Sequence, residues 1–476
     1  MDPEQIVKQC QQQVPPASPF PPMCSSHDST DVVVCSRVRP ILPFDNQHEF
    51  NVISGCNPKF FVHEPKLSVT QRSTTAETHE FTFDYAFDHN TDNDTIFNLL
   101  GKPQVDYAIQ GNIAVYLAYG QTCSGKTFTI TSLQEQCVSY IFNKLGFDHN
   151  YSITASVFEI LGSNCTDLLS SSQVSIREDL FGHVQVQGCL DQAVTSGEEL
   201  NVLLNNAYKN RKTIGTMRNH TSSRSHAITR ITFKNNQFSE SEPGILYFID
   251  LAGSERAKDQ QTHDKERIAE AKEINKSLMN LKECIRKRTL AFIDTSSKKH
   301  HHVPYRSSKI TLLLKDVFEL TSIRQCRTVF LCCVSPLYGD LPHSINSLRY
   351  AEPLRLVSHS RKRQVFVNQK DPAHWDNEKM GRWVTKFSHG LVDPEVLLPG
   401  MSGMQLLRLP ETEFMRRCIS NKFSEKQAKL LYTKLWEKAI DVRTRNREIL
   451  LKNRTLKVDD HDEELLRRVA AESFNS

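Results

Sequence analysis

Residues 120–127 read Gly120-Gln121-Thr122-Cys123-Ser124-Gly125-Lys126-Thr127 and follow the apolar run Ile113-Ala114-Val115-Tyr116-Leu117-Ala118. A buried strand therefore feeds a glycine-bounded loop of the form G-x-x-x-x-G-K-[ST], the arrangement that binds a polyphosphate. Such a ligand needs several backbone N–H groups converging on it, which a loop with little side-chain obstruction allows. A helix starting at the loop's end adds its dipole, and Lys126 can reach the β- and γ-phosphates. The Thr127 hydroxyl is then placed to ligate Mg²⁺. A plain glycine turn would satisfy the same loop taken alone, so two other segments have to decide between them.

The first is Asn219-His220-Thr221-Ser222-Ser223-Arg224-Ser225-His226, a polar cluster just ahead of a strand-like run. Ser222 and Ser223 supply donors, and Ser223 a second hydroxyl for the metal. The other is Asp250-Leu251-Ala252-Gly253-Ser254-Glu255-Arg256, where a strand ends on an aspartate and a glycine follows. Asp250 suits an outer-sphere Mg²⁺ position near Thr127. Gly253 lets a backbone N–H approach the terminal phosphate, and loss of that contact on hydrolysis would release a conformational switch. Arg224 and Glu255 form the candidate ion pair that closes the pocket and orders the attacking water. Each segment alone is an ordinary loop; three in this order, each abutting an apolar strand, are not.

The elements that must hold these groups are legible as strands over 32–37, 81–84, 113–118, 153–161, 227–233, 245–250 and 328–335, several apolar almost throughout. Strands covered on both faces have that composition. Between them, Ile274, Leu278, Leu281 and Ile285 mark one amphipathic helix by their 4-3-4 spacing. The alternation predicts an α/β fold with helices on both faces of a sheet. A chain of 476 residues with 38% hydrophobic and 24% charged residues can bury such a core. The net charge of +4 is too small to indicate a nucleic-acid binder. The thirteen cysteines include no C-x-x-C pair and no zinc-ligand spacing, which fits a reducing cytosol rather than a disulfide framework. The opening residues do not read as a signal peptide, and no apolar run reaches the ~18 residues of a membrane span.

Residues 1–30 hold six prolines and a single lysine, Lys8, and read as a flexible tail. The α/β domain runs over 31–356, and 357–400 reads as a linker or irregular extension. Beyond it Ala428, Leu431, Leu435, Ala439 and Val442 form an apolar stripe, predicting one helix from Ser424 to about Asn453. A shorter helix is expected within 406–419, with Pro410 at its start, making 401–476 a small all-α module. Its last turns carry Arg443, Arg445, Arg447, Lys452, Arg454 and Lys457, either a solvated face or a contact for an acidic partner. No heptad array follows, so no coiled-coil dimer is encoded and the oligomeric state stays open.

Taken together, 120–127, 219–226 and 250–256 resemble the P-loop, switch I and switch II of the kinesin motor domain. The similarity continues at Arg37-Val38-Arg39-Pro40, Asn275-Lys276-Ser277-Leu278, 303–311 and Asn346-Ser347-Leu348-Arg349-Tyr350-Ala351, covering roughly 30–356 with the motifs in register. The resemblance implies a P-loop NTPase fold: a central eight-stranded, mostly parallel-core sheet flanked by helices. It implies Mg-ATP as ligand, microtubules as partner and a cytoskeletal location. It also implies that Arg37 and Pro40 hold the adenine, with Arg39 among the nucleotide-binding residues and Phe128 stacking on the base where kinesins often carry histidine.

On the filament side, the resemblance implies contacts from Arg306 and Lys309, beside the basic stretch Lys298-Lys299-His300-His301-His302. Lys282, Glu283, Cys284 and Arg286 resemble the corresponding helix of the internal-motor, thirteenth kinesin family, which removes tubulin from microtubule ends. Val62-His63-Glu64-Pro65-Lys66-Leu67 resembles the approach to that family's projecting loop. There the family carries Lys-Val-Asp, whereas this chain has Ser68-Val69-Thr70 and, in 1–30, one lysine in place of a basic neck. The alternatives to tubulin removal are a translocating motor and a non-catalytic adaptor. A GTPase reading lacks the Asn-Lys-x-Asp motif that reads guanine.

Overall fold

A computed structural model describes residues 2–23, 32–46, 48–68, 73–145, 150–179, 183–217, 224–237, 242–255, 265–293, 303–318, 325–357, 370–420 and 422–452. Its centre is the strand Ile113–Tyr119, buried at every position and paired in parallel with Gly244–Asp250 on one side and Cys326–Val334 on the other. From there the sheet continues through Val32–Val38 to Tyr85–Phe87, all parallel. In the other direction His226–Asn235, Tyr151–Leu161 and Gln192–Val194 add antiparallel strands, and Asn164–Asp167 pairs off the main order to make nine strands. The expected eight-stranded, parallel-core sheet is thus present with one short extra strand.

Apolar clusters cover both faces. One holds Leu117, Phe330, Leu278, Leu281, Ile285 and Leu348, drawing in the helices Lys265–Ile293 and Leu341–Ala351. The other holds Ala114, Tyr116, Ile130, Val138, Leu200 and Leu204, from the helices Lys126–Leu145 and Gly197–Met217. Burial on both faces is the reason these strands are apolar without alternation. Register then does the positioning: Asp250 pairs with Ala118, and Leu251 donates its N–H to the Ala118 carbonyl at 3.1 Å. The loops after residues 119 and 250 therefore leave the same sheet edge side by side.

A second sheet of three antiparallel strands, Ile53–Cys56, Lys59–Ser68 and Ser73–Thr82, is separate from the main sheet, with Ile53, Phe60, Val62 and Phe81 packed into the apolar cluster on its face. Its two ten-residue strands span roughly 30 Å and pair from Lys59–Thr82 out to Ser68–Ser73. The expected core strand over 81–84 is corrected: Phe81 and Thr82 end this hairpin, and the sheet strand is Tyr85–Phe87. Phe81, at the hairpin's end, and Phe83, just after it, are both buried, so their apolarity reports burial, not membership of the main sheet.

The expected flexible tail over 1–30 is also corrected for its described part. Pro3–Gln11 is helical and buries Ile6 and Val7. Phe20 packs 5.2 Å from the Phe87 ring, and Tyr85 donates its hydroxyl to the Pro21 carbonyl at 3.0 Å. Prolines carry no free N–H and have a restricted φ, so they can line a surface cheaply in entropy.

The reading of 357–400 as a linker fails from residue 371 onward. Trp375, Met380, Trp383, Leu397, Leu406, Phe414, Leu431 and Leu435 share one apolar core, so the helical unit begins near Asp371 instead of 401. Asn377–Phe387 is one of its helices, begun by Asp376, whose carboxylate accepts the Lys379 N–H at 2.7 Å. The stretch 406–419 splits into Gly403–Leu407 and Glu411–Cys418, the latter starting after Pro410 as expected. Glu425–Lys452 is the long helix, with Ser424 capping it through Gln427. Arg408 ties this unit to the α/β domain, 3.3 Å from Glu242 and 3.5 Å from Asp179. Among the described residues no helix is long and apolar enough to cross a membrane.

Candidate functional site

The phosphate loop sits between the Ile113–Tyr119 strand and the helix that starts at Lys126. Gly120 has φ +147° and a Cβ there would collide with the Cys333 carbonyl, so the neighbouring strand enforces glycine. Gly125 has φ +94°, a conformation that side chains rarely adopt. Cys123 also turns left-handed, at φ 63°. Lys126 is buried, and its ammonium donates to the Gln121 carbonyl at 2.7 Å. Burial lowers the Lys126 pKa, while the carboxylates of Asp250 and Glu255 pull it back up.

Thr127 Oγ1 lies 2.8 Å from Asp250 Oδ2 across the two loops. Inside the same cleft, Ser124 Oγ, Gln121 Oε1 and Asp250 Oδ1 are buried without a hydrogen-bond partner. Buried polar atoms seldom go unmatched, so orphaned groups beside a glycine-lined loop fit a polar ligand. A hydroxyl and a carboxylate at helix and strand ends are also the hard oxygen donors that Mg²⁺ takes. The residues present fit a magnesium polyphosphate.

The loop after Asp250 folds back onto the first. Ser254 donates its N–H to the Gly120 carbonyl at 3.0 Å. Glu255 accepts the backbone N–H of Thr122 at 2.9 Å and the Thr122 hydroxyl as well. A Cβ on Gly253 would lie 2.6 Å from Thr122 Oγ1, so a larger residue there would make the Thr122 and Glu255 side chains shift. In this conformation the Glu255 carboxylate is held by the phosphate loop and not by Arg224. Arg224 is buried at the start of the next strand. Asn219, Ser222 and Ser223 lie outside the described residues.

Arg211 and Glu159 were not singled out in the sequence. Arg211 is buried, 3.4 Å from Asp250 Oδ2, and donates to the Ser225 carbonyl at 2.8 Å. Ser225 in turn donates its hydroxyl to Glu159 at 2.9 Å. One cation thus braces the ends of both switch-like segments. A signal existed: Leu200, Leu204, Ala207 and Arg211 share one helix stripe and all are buried, so a cation occupies a core position.

On the side expected to take the base, Arg37 donates to Thr129 Oγ1 at 3.0 Å and stacks 5.5 Å from the exposed Phe128 ring. Pro40 is exposed nearby in sequence. Arg39 is corrected as a ligand contact: its guanidinium forks onto Asp45 at 2.7 and 2.9 Å and onto the Pro40 carbonyl. Its stem backs Gly125 instead, 3.7 Å from a Cβ placed there.

The cations expected on the filament side are brought together in part. Lys282 and Arg286 are exposed on one helix face, with Arg286 bound to Glu283 at 3.0 Å. Cys284 is corrected as a surface contact, being wholly buried in the core. Arg306 and Lys315 both clasp Glu178, and Lys309 donates to the Ile176 carbonyl at 3.3 Å. Burial pushes the Glu178 carboxyl up, but hydrogen bonds from Lys315 and Arg306 outweigh it and leave the pKa low. Lys298–His302 fall outside the described residues.

The family model that matches residues 37–357 is the kinesin motor domain. Over 337 residues the chain is 37% identical to the kinesin-like protein KIN-13B of Arabidopsis thaliana, covering 69% of this chain and 47% of that one. It is 34% identical to KIN-13A of Oryza sativa subsp. japonica, over 62% of this chain and 37% of the relative. The chain therefore spans half or less of these relatives. Among solved structures, that of a fast kinesin superposes with a TM-score of 0.59 at 29% identity, over 72% of this chain and 95% of that one.

Proposed function

This chain belongs to the kinesin motor domain family, and on that premise we propose that it is a Mg-ATPase whose nucleotide state sets its grip on tubulin, acting at microtubule ends to remove or regulate tubulin subunits. The observation that carries the ATPase reading is the meeting of Thr127 with Asp250 and of Thr122 with Glu255 in one cleft. The N–H groups of 121–126 cradle phosphate oxygens, and Lys126 reaches the terminal pair. Thr127 and Ser223 would hold the metal through their hydroxyls, with the Asp250 carboxylate beside Thr127 as a further oxygen donor. Mg²⁺ when bound neutralises charge on the phosphoryl oxygens. Gly253 offers its N–H to the terminal phosphate, and Glu255 leaves Thr122 to meet Arg224 as the pocket closes.

Lys282, Arg286, Arg306 and Lys309 suit the acidic surface of tubulin. Action at ends, not walking, is supported by the likeness to KIN-13B and KIN-13A and by the long hairpin paired as far as Ser68. The 371–452 unit, with its cationic last helix, suits tubulin or an acidic adaptor. The location is then microtubules in the cytoplasm, including the spindle.

The test is ATP turnover with and without microtubules, together with the length of stabilised microtubules over time. Several-fold stimulation with shortening supports the whole reading. Stimulation with directed movement replaces end action by translocation. Turnover unchanged by microtubules overturns it.

A further inference from the structure

His226 opens the strand His226–Asn235 and is fully buried, yet nothing in the nucleotide chemistry uses its ring. Its two nitrogens face different elements. Nδ1 lies 3.1 Å from the backbone nitrogen of Ala252, in the loop between Asp250 and Gly253. Nε2 lies 2.8 Å from Ser277 Oγ, on the helix Lys265–Ile293, and Ser277 Oγ lies 2.7 Å from the Ile274 carbonyl.

The donors fix the tautomer. A backbone N–H can only donate, so Nδ1 accepts from Ala252 and carries no proton. Nε2 then carries the ring proton and donates to Ser277, whose own hydroxyl proton is left for the Ile274 carbonyl. Every proton in the chain Ala252–His226–Ser277–Ile274 has one acceptor. Burial together with the charge of Arg211 holds the ring's pKa down at about 4, so it is neutral at ordinary pH.

From this we propose that His226 is a positioning residue, a neutral relay that makes the Ala252–Gly253 backbone and the Lys265–Ile293 helix move as one body. It rests on the ATPase reading above, and assigns to His226 and Ser277 the coupling between phosphate sensing and filament grip. The geometry favours it because Ala252 is the residue before Gly253, and Ser277 lies on the helix that carries Lys282 and Arg286. The ring is rigid and its hydrogen bonds are directional, so a shift at Ala252 is passed to the helix by oriented polar contacts in addition to the apolar packing they share.

Ser277→Ala removes the acceptor for Nε2–H while leaving the pocket residues in place. We expect basal ATP turnover within about twofold of the unmodified chain and most of the several-fold microtubule stimulation lost, since one buried hydrogen bond is worth up to about tenfold in an equilibrium. Ser277→Thr, which restores the hydroxyl, should recover stimulation. In chain labelled with ¹⁵N-histidine, the His226 ring should show protonated Nε2 and bare Nδ1, and lose that single tautomer in Ser277→Ala. A thermal midpoint measured alongside separates misfolding from uncoupling, and the histidine spectrum of the unmodified chain tests the relay where a variant fails to fold. Unchanged stimulation in Ser277→Ala, a Ser277→Thr variant as impaired as Ser277→Ala, or a ring protonated on Nδ1 overturns the proposal. If the unmodified chain shows no stimulation, the ATPase reading fails, and the tautomer result still judges the relay.

Discussion

Thr127 Oγ1 and Asp250 Oδ2 stand 2.8 Å apart although 123 residues separate them, because parallel pairing of their strands brings both loop starts to one sheet edge. Asp250 has a second neighbour, Arg211, at 3.4 Å. The carboxylate is therefore aimed by one buried cation and one hydroxyl.

Asp250→Asn keeps the shape and removes the charge. Turnover should fall about 100-fold, the scale of losing one preorganised electrostatic group, and the Mg²⁺ concentration for half-maximal rate should rise. Titrating Mg²⁺ against turnover measures both. An unchanged Mg²⁺ dependence would remove Asp250 from the metal's surroundings.

Arg211→Ala leaves Asp250 buried beside an empty space and takes a donor from the Ser225 carbonyl. Breaking a buried pair from one side costs about 3 kcal/mol, so urea unfolding should begin at clearly lower concentration. Arg211→Lys supplies charge without the two-pronged fork and should recover only part of the loss. Full recovery by lysine would mean that charge alone, not geometry, braces the two loops.

Glu255→Ala removes the group that holds the Thr122 N–H and hydroxyl. Binding of a fluorescent ATP analogue should persist while hydrolysis slows about 100-fold, since phosphate contacts remain and the ordering of water is lost. Lys126→Ala should instead abolish nucleotide binding. If Glu255→Ala hydrolyses normally, the carboxylate serves the resting loop conformation and nothing more.

How much of this was legible varies with the kind of constraint. The strands 113–118 and 245–250 were readable because burial on both faces leaves an unbroken apolar run. The loop 120–127 was readable because chemistry fixes its residue types. Arg39 and Cys284 misled: membership of a motif says nothing about which way a side chain turns, and here one faces Asp45 and the other the core. The Asp371 boundary was missed because Trp375, Met380 and Trp383 are spread among turns and short helices, so no long period announces them. The packed 3–23 segment was missed for a related reason: five prolines at 15–22 signal lack of helix or strand there, not lack of contact, and they masked the short helix Pro3–Gln11 ahead of them.

His63 gives the chain a predictable acid limb. It is buried between Ser54 Oγ at 3.1 Å and Thr78 Oγ1 at 3.0 Å, and burial alone lowers its pKa to about 4 from the usual 6.5. The unfolded chain thus takes up a proton near pH 6.5, the folded one only near pH 4. Stability from this group is complete above pH 6.5, declines as pH falls through the window, and is constant below pH 4, a total of about 3 kcal/mol. His226, facing Arg211, titrates in the same window, so His63→Gln should remove part of the slope. Urea midpoints from pH 7.5 to 4 for both proteins measure it; parallel curves would mean that His63 is charged or exposed in solution.

The helical unit has its own core, and that predicts separable unfolding. Phe414 is fully buried there, its ring 5.2 Å from that of Tyr432, and none of its core neighbours belongs to the two clusters on the main sheet. Emptying that space with Phe414→Ala costs about 3–5 kcal/mol, much of what a unit of this size possesses. The Arg408 contacts to Asp179 and Glu242 are partly exposed ion pairs, worth about 1 kcal/mol or less, too little to transmit the loss to the α/β domain. Calorimetry of Phe414→Ala should therefore show one transition moved to lower temperature and the other in place, with basal ATP turnover retained. A single transition that moves as a whole would mean the two cores fold as one, and that the boundary near Asp371 has no energetic counterpart.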